Sequence, residues 1–425
     1  MDGLFLATAL LGTQIVLTKR MDYYSIWPFF ACMSLLLAFA ATPFLAAADT
    51  PPSPRQNRLA ALDGLRGFLA LAVVFHHASI YYRFLLDGRW ELPSASPFYA
   101  LLGQAGVAMF FMVTGYLFWS RLIEEAGRPA WLRLYIGRLF RIGPLYLAAV
   151  AGLLVVVFVG TQGHLNVPLS SLARQVSRWL ALGFLSGPNV NNYPGTNLVL
   201  AGVTWTLRYE WIFYLCLPAA AFVARRRRTH LPFTLAGLTS CLLWVTTHPS
   251  SPEAASDVVC AAMFLTGMTC ASLQRYVGNI PLPDKATSAA VLALLVSIFV
   301  VFSTAFAAAP IILLGAAFYL ITSGCTVFGL LTCRPARRLG DISYGIYLLQ
   351  GLALAVVFRP GPLRAIALAS PAYHWLLVLL CMLLLIVAAT AAHVLVERPG
   401  IALGRRVAAL FERGEQPSAK LRQQA

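Results

Sequence analysis

Apolar runs of about 20 residues, the length of helix that crosses a bilayer, recur along this sequence from end to end. No water reaches the backbone inside a bilayer, so every N–H and C=O must be satisfied within the chain, which leaves helices or a closed barrel. Long continuous runs, rather than short alternating ones, select helices. Two runs, Gly3 to Thr18 and Ser25 to Ala48, precede a Pro-rich connector from Asp49 to Arg58. Ten more begin near Leu59, Pro97, Ile142, Val203, Leu231, Ala255, Thr287, Ala309, Gly340 and His374. The expected fold class is all-α: a polytopic transmembrane helical bundle of ten core helices plus an N-terminal hydrophobic hairpin. Residues 1–58 make the hairpin and connector, 59–406 the membrane domain, and 407–425 a cytoplasmic polar tail.

The net charge of +16 does not point to nucleic acid, because the 32 basic residues are spread over short loops rather than gathered on one surface. Their distribution follows the crossings. Lys19, Arg20, Arg83, Arg89, Arg174, Arg178, Arg359 and Arg364 fall on one side, Arg66 and Arg208 lie within spans, and the remaining 22 fall on the other side. Lys and Arg accumulate on the cytoplasmic side, so the connector and the C-terminus are expected there, in a bacterial inner membrane. The four arginines Arg225 to Arg228 read as an orientation signal or a contact with lipid headgroups. Eight Cys show no metal-binding spacing, and no metal site is expected.

Ionisable groups inside a span are costly enough to signal function. The first core span, LAALDGLRGFLALAVVFHH, holds Asp63, Arg66, His76 and His77. At about 100° per residue, Asp63, Arg66 and His77 share one helix face, while His76 lies about 80° from Arg66. Gly64 and Gly67 flank that face, where a backbone or a ligand can approach closely. Glu210, the one carboxylate well inside an apolar run, is expected roughly 10 Å below the outer surface, at the depth of His77. A carboxylate that orients a histidine is the arrangement used for general-base catalysis, and it is equally a hydrogen bond that locks two helices. Arg66, Arg138 and Arg141 together offer an anion site at the cytoplasmic mouth, while Arg138 and Arg141 taken alone read as a positive-inside orientation signal. Asp63 also stands where an i,i+3 pair with Arg66 forms. Asp63, His76, Trp205, Arg208 and Tyr344 complete the set expected to meet substrate.

The motifs LDGLRG with a His eleven beyond its Arg, FFMVTGYLF, RLFRIGPLYL, TWTLRYEWIFYL, LGDISYGIYLL and VERP occur in the order found in the acyltransferase-3 family of integral-membrane O-acyltransferases. The chain resembles that family over roughly Leu59 to Arg406. The resemblance implies ten core helices and transfer of an acyl group, commonly acetyl, from cytoplasmic acyl-CoA to a hydroxyl of a carbohydrate or glycosylated acceptor. It maps the family's Arg and His onto Arg66 and His77 and its Glu onto Glu210. Gln350 stands where many members have His, Thr114 where Ser is usual, and Trp211-Ile212 replaces a more polar pair. Some members carry an extra soluble hydrolase-like domain; this chain ends soon after its last span, so it is expected to acylate the acceptor itself or with a separate partner.

Two readings stand at this point. In the first, acyl-CoA docks on Arg66, Arg138 and Arg141, and His77, oriented by Glu210, deprotonates the acceptor. In the second, the same residues line the path of a transporter or flippase, against which the lack of a repeated Gly/Pro-broken helix pair weighs. Under the orientation read from the loops, green fluorescent protein fused after Ala425 is expected to fluoresce and alkaline phosphatase fused there to be inactive; the opposite pair of results contradicts it.

Overall fold

The computed structural model describes residues 23–49, 60–91, 96–248, 252–278, 283–359 and 361–422. Among them are fifteen α-helices and no strand. In chain order these are α1 Trp27–Ala41, α2 Ala60–Asp87, α3 Pro97–Glu124, α4 Trp131–Gly160, α5 Leu169–Trp179, α6 Trp205–Ala224, α7 His230–Thr247, α8 Pro252–Val277, α9 Asp284–Val301, α10 Ala308–Thr322, α11 Arg334–Asp341, α12 Ser343–Phe358, α13 Gly361–Ala369, α14 Pro371–Ala392 and α15 Arg398–Arg422. Each of the ten expected core spans coincides with a helix, although the third begins at Trp131, well before Ile142. Seven are long and apolar enough to cross a membrane, or eight if α11 and α12, bent by 69° at their junction, count as one broken span. The Gly3 to Thr18 run lies outside the described residues, as does all of the connector except Asp49.

Contacts divide the chain into two compact units. The first comprises residues 1–45, 52–110 and 282–386. Its centre is α2, which packs on α11 and α12. Glycines set that seam. A Cβ at Gly67 would stand 2.7 Å from Leu339 Cβ and 2.8 Å from the Ala336 carbonyl oxygen, and one at Gly64 would overlap the Leu331 carbonyl. Gly340 in turn lies on the Asp63 backbone. The close approach expected beside Asp63 and Arg66 is therefore made by backbone. The Ser25 to Ala48 run is anchored in the same unit through α1: Arg338, buried, donates to the carbonyls of Ala40 and Thr42, both at 2.6 Å. These are carbonyls at the C-terminal end of α1, where a cation is favoured.

The second unit comprises residues 46–51, 111–281 and 387–425. Its longest helix, α4, packs against α15. The chain between α4 and α6 packs back against both helices. Tyr193 packs at Gly160, the Trp179 carbonyl accepts from Tyr146 at 2.9 Å, and the Leu182 carbonyl accepts from Trp211 Nε1 at 2.9 Å. From Gly160 to Tyr146 is about 20 Å of helix, so this segment folds back along α4 as a re-entrant lobe. Its interior is held by Asn191, which accepts from the Asn166 N–H at 2.7 Å and donates to the His164 carbonyl at 2.7 Å. The lobe displaces α6. Tyr135 donates to the Tyr214 carbonyl at 2.9 Å, which sets the start of α6 part-way along α4. Glu210 then lies about 10 Å from the Trp131 end of α4, not near the far surface as the hydropathy reading had it.

The C-terminal segment expected as a polar tail is helical through Arg422, as part of α15. Just before it, a π-turn over His393–Glu397 pairs His393 with Glu397 at 3.3 Å. Arg398 donates to the carbonyls of Ala47, Ala48 and Asp49 at 2.8, 2.9 and 2.8 Å.

Gly340→Val is expected to abolish extraction of monodisperse protein, since the Asp63 backbone occupies the added volume. Gly137→Ala, in open space on α4, is expected to leave the melting temperature unchanged or raised, because Ala is favoured over Gly in a helix interior by roughly 0.5–1 kcal/mol. Thermal unfolding of both variants in detergent checks the contrast.

Candidate functional site

The candidate residues fall into two groups, one in each unit. Asp63, Arg66, His76, His77 and Tyr344 belong to the first; Arg138, Arg141, Trp205, Arg208 and Glu210 belong to the second.

In the first unit, α2 carries the charged pair and both histidines. Arg66 Nη1 lies 3.8 Å from Asp63 Oδ1, a long contact that leaves the other guanidinium N–H groups available to an anion. The two histidines have separate surroundings. His76 is buried, shares its Nδ1 with the Tyr99 carbonyl at 2.8 Å, and presses its ring on Gly103. It joins α2 to α3. His77 places Nδ1 3.0 Å from Gln350 Oε1, and its ring lies 6.1 Å from Trp90 with the planes 23° apart. Gln350 is fully buried on α12 and donates from Nε2 to the Tyr347 carbonyl at 2.7 Å. Neither Gln350 nor Trp90 stood among the expected site residues. Gln350 stands in the sequence as a departure from His, and Trp90 lies after the end of α2, beyond the reach of a helix-face argument. Tyr344, half-buried, lies one turn N-terminal of Tyr347 on α12.

In the second unit, Glu210 lies in a polar cluster. Tyr214, one turn on along α6, donates to Glu210 Oε2 at 3.0 Å. Arg138, its guanidinium 4.9 Å over the Phe118 ring, is a charged neighbour of both Tyr214 and Glu210. Arg141, half-buried, follows one turn later on α4. Tyr214 is the residue that sequence reasoning missed here, and its i,i+4 spacing from Glu210 was the available signal. Trp205 packs edge-on to Tyr209 and Phe111. Arg208, exposed, stands at one end of a groove of about 520 Å³. Phe213, Ile212, Phe233 and Phe264 line it, and Tyr209 closes the same end with a 2.6 Å hydrogen bond to Asp257.

The acyltransferase domain family model matches residues 59–392. Among curated proteins, the exopolysaccharide production protein ExoZ of Rhizobium meliloti is 27% identical over 331 residues, covering 72% of this chain and 91% of that protein. The acyltransferase MdmB of Streptomyces mycarofaciens is 29% identical over 383 residues, covering 83% of this chain and 94% of that protein. No solved structure matches.

Removing the Tyr214 hydroxyl leaves the Glu210 carboxylate short of a donor, at a cost of about 1–3 kcal/mol. Tyr214→Phe is therefore expected to lower the melting temperature, and in a double-mutant cycle with Glu210→Gln the two changes are expected to couple; strict additivity would mean that the pair does not interact.

Proposed function

Because the chain belongs to the acyltransferase-3 family of membrane acyltransferases, we propose that it moves an acyl group, acetyl in the simplest case, from acyl-CoA to a hydroxyl of a carbohydrate or glycosylated acceptor, with His77 as general base. What carries this reading is His77 itself: an imidazole on the polar face of α2, hydrogen-bonded among the described side chains at one nitrogen, Nδ1. The exopolysaccharide production protein among the relatives supports a carbohydrate acceptor.

The proposed step is direct transfer. The acceptor hydroxyl gives its proton to His77 as its oxygen attacks the thioester carbonyl carbon. The tetrahedral intermediate collapses with cleavage of the C–S bond, and the departing thiolate takes the proton from His77. One ester and one free thiol result. Arg66 and Arg141 are assigned to the donor's phosphates, for which a guanidinium fork is suited; Arg138, with its charge shared by Glu210, is assigned to the donor as well. Glu210, which accepts a hydrogen bond from Tyr214 and has Arg138 as a charged neighbour, is the second group assigned to catalysis. Asp63, His76, Trp205, Arg208 and Tyr344 are assigned to substrate contact, Asp63 and His76 by holding the neighbouring side chain or helix in place. Membrane lipids are the remaining partner, and the apolar groove ending at Arg208 suits a lipid chain.

The 69° break between α11 and α12 is the one feature that favours a transporter, because broken helices line substrate paths in such proteins. Family membership ranks it second.

Purified protein supplied with acetyl-CoA and a glycan extract is expected to release free thiol above a protein-free blank. His77→Ala is expected to reduce that rate by roughly 10² to 10⁴, the usual contribution of a general base, and Arg66→Ala to raise the donor KM with Lys restoring part. Thiol release by His77→Ala at the parent rate, with equal amounts of monodisperse protein, would overturn the assignment.

A further inference from the structure

We propose that Gln350 is a positioning residue for His77: its amide fixes the imidazole in the tautomer protonated at Nδ1, and so leaves Nε2 as the base. The inference rests on the assignment of His77 as general base.

Two hydrogen bonds made by one amide carry it. Gln350 Nε2 donates to the Tyr347 carbonyl at 2.7 Å, one turn back on its own helix. A carbonyl only accepts, so this contact must be made by the NH2 end of the amide, and the oxygen end must face the other way. That oxygen lies 3.0 Å from His77 Nδ1. An amide oxygen also only accepts, so Nδ1 carries the hydrogen. The remaining nitrogen of a neutral imidazole, Nε2, then holds the lone pair. The Val73 carbonyl, four residues back on α2, is a second acceptor near the ring. Gln350 is fully buried, so no bulk water competes for its oxygen. Trp90, near-parallel to the ring, restricts its rotation.

The neutral amide has a further consequence. It can orient the ring, but it cannot take up a proton, so a proton captured at Nε2 has no exit through Gln350. It must leave from Nε2, to the departing thiolate. The titratable neighbours fit this isolation. His76 lies 5.0 Å away with its own Nδ1 committed to the Tyr99 carbonyl, and Tyr347 meets Phe110 ring to ring. A carboxylate at position 350 would change the chemistry, because it stabilises the imidazolium and keeps the ring protonated to higher pH.

The test uses full-length protein in detergent, with acetyl-CoA thiol release as the readout. Gln350→Glu is expected to move the ascending limb of the pH–rate profile to higher pH by about one unit or more. Gln350→Met, which keeps the length and removes the acceptor, is expected to lower kcat at least tenfold while the donor KM stays within about twofold. Nitrogen-15 NMR of histidine-labelled parent protein, with His77→Ala as the blank, reads the tautomer with no change at position 350 and is expected to show a protonated Nδ1 and a bare Nε2. An Nε2-protonated resonance for His77 overturns the proposal, and so does an unmoved pH limb in Gln350→Glu together with parental kcat in Gln350→Met. The assignment of His77 as the base fails separately, if His77→Ala turns over at the parent rate.

Discussion

A polar group inside a lipid-embedded helix bundle has to find its partner in the protein, and the internal architecture follows from that requirement. Leaving a buried donor or acceptor unsatisfied costs roughly 1–3 kcal/mol, and a buried charge costs more. Many of the described polar groups meet the requirement in local clusters: Arg338 on the carbonyls at the end of α1, Arg398 on those of Ala47 to Asp49, His76 on the Tyr99 carbonyl, His77 on Gln350, Glu210 on Tyr214; the buried rings of His230 and His374 are exceptions. The two arginine clamps also explain why the segment before the acyltransferase domain is held against it: backbone carbonyls of that segment are the acceptors the guanidinium groups need.

Close packing then decides which polar groups are held and which are left to react. Gly67 and Gly340 let α2 and α11 meet closely, and Gly64 admits the Leu331 backbone just before α11, so the polar face of α2 has little freedom to roll. His76 falls on the side turned to α3 and is consumed in joining the two helices. His77, one residue on and about 100° around the helix, falls on the side turned to α12, where only one nitrogen is engaged by a side chain. Adjacent histidines thus acquire different partners from the pitch of the helix.

Much of this was legible in the sequence, and the exceptions share a cause. Apolar run length and loop charge are properties of single segments, and a helix lies at each of the ten expected core positions. The separation of His76 from His77 rested on helical periodicity, which is also local. Depth was different. Glu210 was placed near the outer surface by counting from the start of an apolar run, on the assumption that the preceding loop ends at that surface. The loop instead folds back along α4, and its hydrogen bonds through Tyr146, Trp211 and Asn191 have partners 27 to 33 residues away in the chain. The partner of Gln350 was not legible, because its hydrogen bond to His77 spans 273 residues and no local pattern announces it. The glycines beside Asp63 were correctly read as places of close approach, but which group approaches is a tertiary fact.

The central claim is that this protein builds an ester on an acceptor through His77. The most direct test is mass spectrometry of cell-surface glycans and secreted small molecules from cells fed carbon-13 acetate, comparing cells with the parent protein, with His77→Ala at equal abundance, and with neither. The account predicts a product heavier by one labelled acyl group, removable by mild base, present only with the parent protein. An identical product profile in all three, or the same acylated product with His77→Ala, would contradict it.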